Sequence, residues 1–120
     1  MKLLPFAELQ KKFDWLIHKN KLSLDFYLPD YNIAIECQGE QHFKARKLFG
    51  GQEGFEYNLL RDKIKNELCK KHNIKILYII PQKFIKRAKQ DIFEGLYNEN
   101  NVIVYEDLLS DKTILFNMIK

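Results

Sequence analysis

Leu22-Ser23-Leu24-Asp25-Phe26-Tyr27-Leu28-Pro29-Asp30-Tyr31-Asn32-Ile33-Ala34-Ile35-Glu36-Cys37-Gln38 decides the fold of this 120-residue chain. Two apolar runs flank a Pro-Asp turn signal, the pattern of an antiparallel hairpin. With the turn centred between Asp30 and Tyr31, Leu28 faces Ile33, Phe26 faces Ile35, and Asp25 faces Glu36. Opposed Cβ atoms on antiparallel strands lie about 4.5–5.5 Å apart, and like charges there are destabilising. A divalent cation between the two carboxylates turns that cost into a site. Strand alternation puts Ser23, Asp25 and Tyr27 on one face with Ala34, Glu36 and Gln38, and Leu24, Phe26, Ile33, Ile35 and Cys37 on the other. One face is expected to be core and the other to carry chemistry.

Outward from the hairpin, Gln10 to Ile17 reads as a preceding strand, joined through a polar turn at His18-Lys19-Asn20-Lys21. Gly39 to Gly54, with four glycines and three basic residues, reads as a mobile loop. Phe55 to Asn73 places Leu60, Ile64 and Leu68 at helical spacing and ends in basic residues, as a helix C-terminus prefers. Ile74 to Ile80 is a β-branched run suited to a buried strand and is stopped by Pro81. Beyond it, Phe84 to Tyr97 is predicted as a helix, Val102 to Tyr105 as a short strand, and Glu106 to Ile119 as one or two short helices. The fold class is therefore α/β: a β-meander, a helix and a further strand (β-β-β-α-β), with C-terminal helices. By length this is a single domain, residues 1–120, with its core at about 10–80 and a helical extension at about 82–120.

With 46% hydrophobic and 30% charged residues the composition is that of an ordinary globular protein. No apolar run approaches the roughly 20 residues of a membrane helix, and Met1-Lys2-Leu3-Leu4-Pro5-Phe6 is too short and too quickly polar for a signal peptide. The expected location is cytoplasmic, with Cys37 and Cys69 reduced and Cys37 in an interior strand. The net charge of +4 divides unevenly: residues 1–43 carry −1, residues 44–89 carry +9 and residues 90–120 carry −4. A basic middle segment beside a carboxylate pair suits a polyanionic partner, because phosphate neutralisation supplies most non-specific nucleic-acid affinity.

Asp25, then Glu36-Cys37-Gln38, then Gly39-Glu40-Gln41-His42-Phe43, then Arg61-Asp62 on a helix, together resemble the PD-(D/E)XK nuclease superfamily. The nearest likeness is to the very-short-patch-repair-like branch and related phage and homing endonucleases, and it covers roughly residues 10 to 80. The resemblance implies a restriction-endonuclease-like core and a Mg²⁺-dependent endonuclease acting on DNA, with Mn²⁺ as a substitute. It makes Asp25, Glu36, Gln38, His42 and Asp62 the catalytic set, with Asp25, Glu36 and the Cys37 carbonyl as metal ligands. Gln38 stands where the superfamily usually has Lys, and relatives of this branch use a downstream His, here His42. Asp62 matches an acid near the metal waters, and it also suits an early helical turn facing the dipole.

Gln38 can orient water or phosphate but carries no charge; Lys65, one turn from Asp62, could supply it. Histidine titrates near neutrality in its ordinary state, which suits His42 to a general base. Lys44, Arg46 and Lys47 in the loop, with Arg61, Lys63 and Lys65 on the helix, are the expected nucleic-acid contacts. Phe43 and Phe49 are either a stacking platform or core. A second reading is a catalytically inactive nucleic-acid-binding domain of the same fold, favoured by Gln38 and opposed by the retained acids. No recognition helix or zinc finger is visible, which leaves specificity to a partner such as a second copy in a homodimer, to a flanking specificity domain, or to neither.

Overall fold

Phe26 pairs with Ile35, Tyr27 with Ala34 and Leu28 with Ile33, the register set by the Pro-Asp turn. In this computed structural model, residues 7–119 are described. The expectation about a signal segment at residues 1–6 lies outside them. The strands are β1 (Glu8–His18), β2 (Asn20–Leu28), β3 (Ile33–Cys37), β4 (Lys75–Ile80) and β5 (Val102–Val104). They form one mixed sheet in the order β1-β2-β3-β4-β5, antiparallel from β1 to β3 and parallel from β3 to β5. The β1–β2 turn is tighter than the four-residue turn expected: His18 already pairs with Asn20, and Lys19 takes a left-handed φ of 67°. The β1–β2 register shifts between Lys12 and Ile17.

The helices among the described residues are α1 (Gly51–Lys71), α2 (Ile85–Ala88), α3 (Tyr105–Ser110) and α4 (Thr113–Ile119). The glycine-rich stretch is no loop throughout. It folds into 3-10 turns at Glu40–His42 and Lys47–Phe49, and α1 starts at Gly51, capped by Gly50 in the left-handed region. Gly54 is needed there, because a Cβ on it would lie 2.0 Å from the Phe49 carbonyl oxygen.

The buried face of α1 is Phe55, Leu59, Asp62 and Cys69, while Leu60, read as core, is 49% exposed. The buried polar Asp62 interrupts the true stripe, which is why Leu60, Ile64 and Leu68 gave the clearer period. The helix expected over Phe84 to Tyr97 is broken. Only Ile85–Ala88 is α-helical, Gln90 is extended, and Glu94 and Gly95 are left-handed. Phe84, Ala88, Phe93, Leu96 and Tyr97 all enter one core, and at 100° per residue a straight helix would spread them over more than half its circumference.

Both sheet faces are covered, so neither is free for chemistry alone. On one side Ala34, Ile76, Tyr78 and Ile80 join Phe55 and Leu59 of α1, together with Phe43, Phe84 and Phe93. On the other, Ile33, Ile35, Leu77 and Ile79 pack against Leu108, Leu115 and Ile119 of α3 and α4. Burial on both faces is the usual state of parallel strands, and β4 runs as five consecutive buried residues. Leu24 joins the α1-side core rather than Phe26 on the far side. Cys37 is exposed, not interior, because α3 and α4 cover β3 only as far as Ile35. No helix among the described residues is long and apolar enough to cross a membrane.

Candidate active site

Asp25 and Glu36, the next opposed pair after Phe26 and Ile35, do not continue the backbone ladder. Their side chains replace it: the Asp25 N–H donates to Glu36 Oε2 at 2.9 Å, and the Cys37 N–H donates to Asp25 Oδ2 at 2.9 Å. The strands part here around a cavity of about 340 Å³, lined by Asp25, Glu36, Gln38, His42, Asp62 and Lys65 among others. Among the described residues, the buried polar or charged side chains are Glu36, Gln38 and Asp62, and all three line it. Buried polar groups are normally few and fully bonded, so their convergence marks a functional cavity.

Across the cavity, α1 supplies Lys65, whose Nζ lies 2.5 Å from Glu36 Oε1 and 2.8 Å from the Ser23 carbonyl oxygen. A positive charge therefore sits on the carboxylate from the helix, where Gln38 cannot provide one. Burial pushes the Glu36 carboxyl up to about 7, with Lys65 pulling against it and Asp25 adding to the rise.

Asp62 lies in the fourth turn of α1, well away from the helix N-terminus, so the dipole reading fails. Its Oδ2 is 2.7 Å from His42 Nδ1 and 3.4 Å from Gln38 Nε2, which also donates to the Tyr97 hydroxyl at 3.0 Å. A carboxylate accepts, so Nδ1 carries a proton, and in the neutral imidazole the free lone pair is on Nε2. Burial, and then the charge of Asp62, hold the Tyr97 phenol above its ordinary range. Gln38 is thus a strut between Asp62 and Tyr97. Tyr97 had no signal in the sequence, being one more aromatic in an apolar stretch.

The oxygen donors suited to a hard cation are the two carboxylates and the Cys37 carbonyl. The Gln38 N–H bonds Ile79 on β4. A strand residue turns its N–H and C=O to the same side, so Cys37, whose N–H bonds Asp25, also turns its carbonyl toward β2. Among the described residues no group of three or more His, Cys, Asp and Glu could hold a metal. This donor set nevertheless fits Mg²⁺, which keeps several waters and binds through one or two carboxylates plus substrate phosphate.

The basic residues divide. Arg61 and Lys65 line the cavity, as do Lys21 and Ser23. Lys44 and Arg46 in the preceding loop both pair with Glu40, at 3.0 and 2.7 Å, and Lys47 is exposed. Lys63 faces elsewhere, paired with Glu94 at 3.1 Å. Phe43 is fully buried core, and Phe49 is 45% exposed. No protein-family model, curated protein or solved structure matches the chain.

Proposed function

We propose that this protein is a Mg²⁺-dependent endonuclease that hydrolyses DNA phosphodiester bonds, with a restriction-endonuclease-like core of the PD-(D/E)XK kind. The observation that carries the reading is the reciprocal pair, in which Asp25 and Glu36 each accept the other strand's N–H and so stand together at one cavity. Five polar positions of the family pattern, Asp25, Glu36, Gln38, His42 and Asp62, line that cavity. Lys65 supports an active rather than silent protein, since it restores the charge that Gln38 lacks.

When bound between Asp25, Glu36 and the Cys37 carbonyl, Mg²⁺ would polarise the phosphate and acidify a water. The chain's own residues account for the rest. His42 Nε2 accepts the proton of the attacking water, and Asp62 fixes the imidazole and stabilises the imidazolium that forms. Gln38, tied to Tyr97, keeps Asp62 aimed at His42. Lys65 offsets charge growing on the phosphate.

Plasmid and linear duplex DNA incubated with Mg²⁺ or Mn²⁺ test this. Cleavage is expected with either ion and lost in Asp25→Asn and Glu36→Gln. Cleavage persisting in excess EDTA, or full activity in either variant, overturns the assignment.

A further inference from the structure

Where the β1–β2 turn meets α1, two cations share one aromatic ring. Lys19 Nζ lies 5.4 Å from the centroid of Tyr57, and the Arg61 guanidinium carbon lies 5.8 Å from it. Neither pairs with a carboxylate among the described residues, in contrast to Lys44, Arg46, Lys63 and Lys65. Arg61 donates to Asn58 Oδ1 at 3.3 Å, which leaves most of its five N–H groups free. The ring quadrupole attracts each cation, but like charges brought together with no counter-charge leave the place short of an anion. His18 lies beside them. Its ring centroid is 6.1 Å from that of Tyr57, and its Nε2 is buried without a hydrogen-bond partner.

The place adjoins the candidate active site. Tyr57, Arg61 and Lys65 follow one another at i, i+4 and i+8 on α1, so they form a row along one side of the helix. Lys65 bonds Glu36, Arg61 lines the cavity, and Tyr57 lies one turn further out, 38% exposed.

We propose that Lys19, Tyr57 and Arg61 form a seat for a backbone phosphate next to the one being cut. The identity of the anion as a nucleic-acid phosphodiester rests on the nuclease reading. The seat replaces the loop cations as the main phosphate contact, because Lys44 and Arg46 must first leave Glu40 to bind one. Lys19 is the left-handed residue of the β1–β2 turn, and that turn brings its ammonium to the Tyr57 ring.

The test is binding of a short fluorescein-labelled DNA duplex by the full chain in EDTA, across a series of salt concentrations. Lys19→Asn, which tolerates the left-handed turn, and Arg61→Gln are each expected to weaken binding and to reduce the slope of log K against log salt by about 1. The double variant should lose less than the two singles combined, because both side chains hold one phosphate. Tyr57→Leu should weaken binding while Tyr57→Phe retains it, since the ring alone is used. Wild-type slopes in both charge variants, or independent additive losses, overturn the seat. Binding in EDTA needs no cleavage, so the two ideas fail separately. Metal-dependent cleavage with unaltered binding in the variants removes the seat and leaves the nuclease, whereas altered slopes without any cleavage do the reverse.

Discussion

Lys65 of α1 bonds Glu36 of β3 at 2.5 Å and the Ser23 carbonyl of β2 at 2.8 Å, so one ammonium ties the helix to two strands where they part. Removing one partner of a buried ion pair costs about 3–5 kcal/mol, because the other is left charged and unpaired. Lys65→Met is expected to destabilise the metal-free protein at slightly alkaline pH by at most about that amount, because Glu36, already pushed up by burial, then takes a proton. Urea denaturation should show a lower midpoint with an unchanged m-value. A midpoint equal to the wild type's would mean that the ion pair adds nothing.

Asp25 has two tasks, and they respond differently to substitution. Its Oδ2 accepts the Cys37 N–H, so Asp25→Ala loses that bond to water at an exposed place and should cost about 0.5–1.5 kcal/mol. Asp25→Asn keeps an acceptor and removes the repulsion with Glu36, so its metal-free stability should equal or exceed the wild type's. Saturating Mn²⁺ should then separate the two proteins. Binding to the native state alone adds roughly 2.7 kcal/mol at a hundredfold excess over Kd, and this increment should shrink in Asp25→Asn. Melting curves with chelator and with Mn²⁺ decide it. Equal metal shifts in both proteins would place the ion elsewhere.

The hairpin and its carboxylate pair were legible in the sequence because alternation and a Pro-Asp turn fix a register in which one slip would invert both faces. What stayed hidden was set by tertiary contact. The start of α1 lies in a glycine tract that propensity reads as loop, yet Gly50 caps the helix and Gly54 lets its backbone pass the Phe49 carbonyl. A helix begun at Phe55 puts Asp62 near its head, whereas in α1 it is a buried mid-helix acid. Sequence spacing offers Lys65 as a stand-in for the charge Gln38 lacks and as a nucleic-acid contact, and its bond to Glu36 follows only once α1 packs on the sheet. Tyr97, Lys19 and Tyr57 carried no pattern, since each gains its meaning from a residue far along the chain.

Gly54→Ala tests that helix start directly. The added Cβ would meet the Phe49 carbonyl oxygen at 2.0 Å, backbone that cannot swing away. Overpacking of this kind typically costs about 1–3 kcal/mol, although alanine has the better helix propensity. A thermal melt should show destabilisation. A stabilised variant would mean that the turn at Lys47–Phe49 yields freely.

His42 and Asp62 should fail together in catalysis. General-base catalysis is worth about a hundredfold to ten-thousandfold, so His42→Ala is expected to lower single-turnover cleavage by at least the smaller factor. Asp62→Asn offers Nδ1 no ionised acceptor, and its rate should fall comparably while DNA binding holds. The double variant should be little slower than either single. Multiplicative losses would show that the 2.7 Å contact between them serves only packing.

Glu36 gives the free protein a distinctive pH response. Its folded-state value, near 7, lies above the ordinary 4.5, because burial penalises the charged form more than Lys65 favours it. A group raised on folding contributes stability that is fully present below its unfolded value and is lost as pH rises through the folded one. Metal-free stability from this residue should therefore fall between about pH 4.5 and pH 7, by up to about 3 kcal/mol. Glu36→Gln cannot titrate, and its single amide oxygen accepts from either the Asp25 N–H or Lys65 but not both, so its stability should start lower and lack the fall across that window. Mn²⁺ needs the ionised carboxylate, and its apparent affinity should weaken as pH drops below about 7. Urea midpoints for both proteins across the window, in chelator, are the measurement. Parallel curves would mean that Lys65 already holds Glu36 ionised throughout, and the pH dependence of metal binding would then have to come from another group.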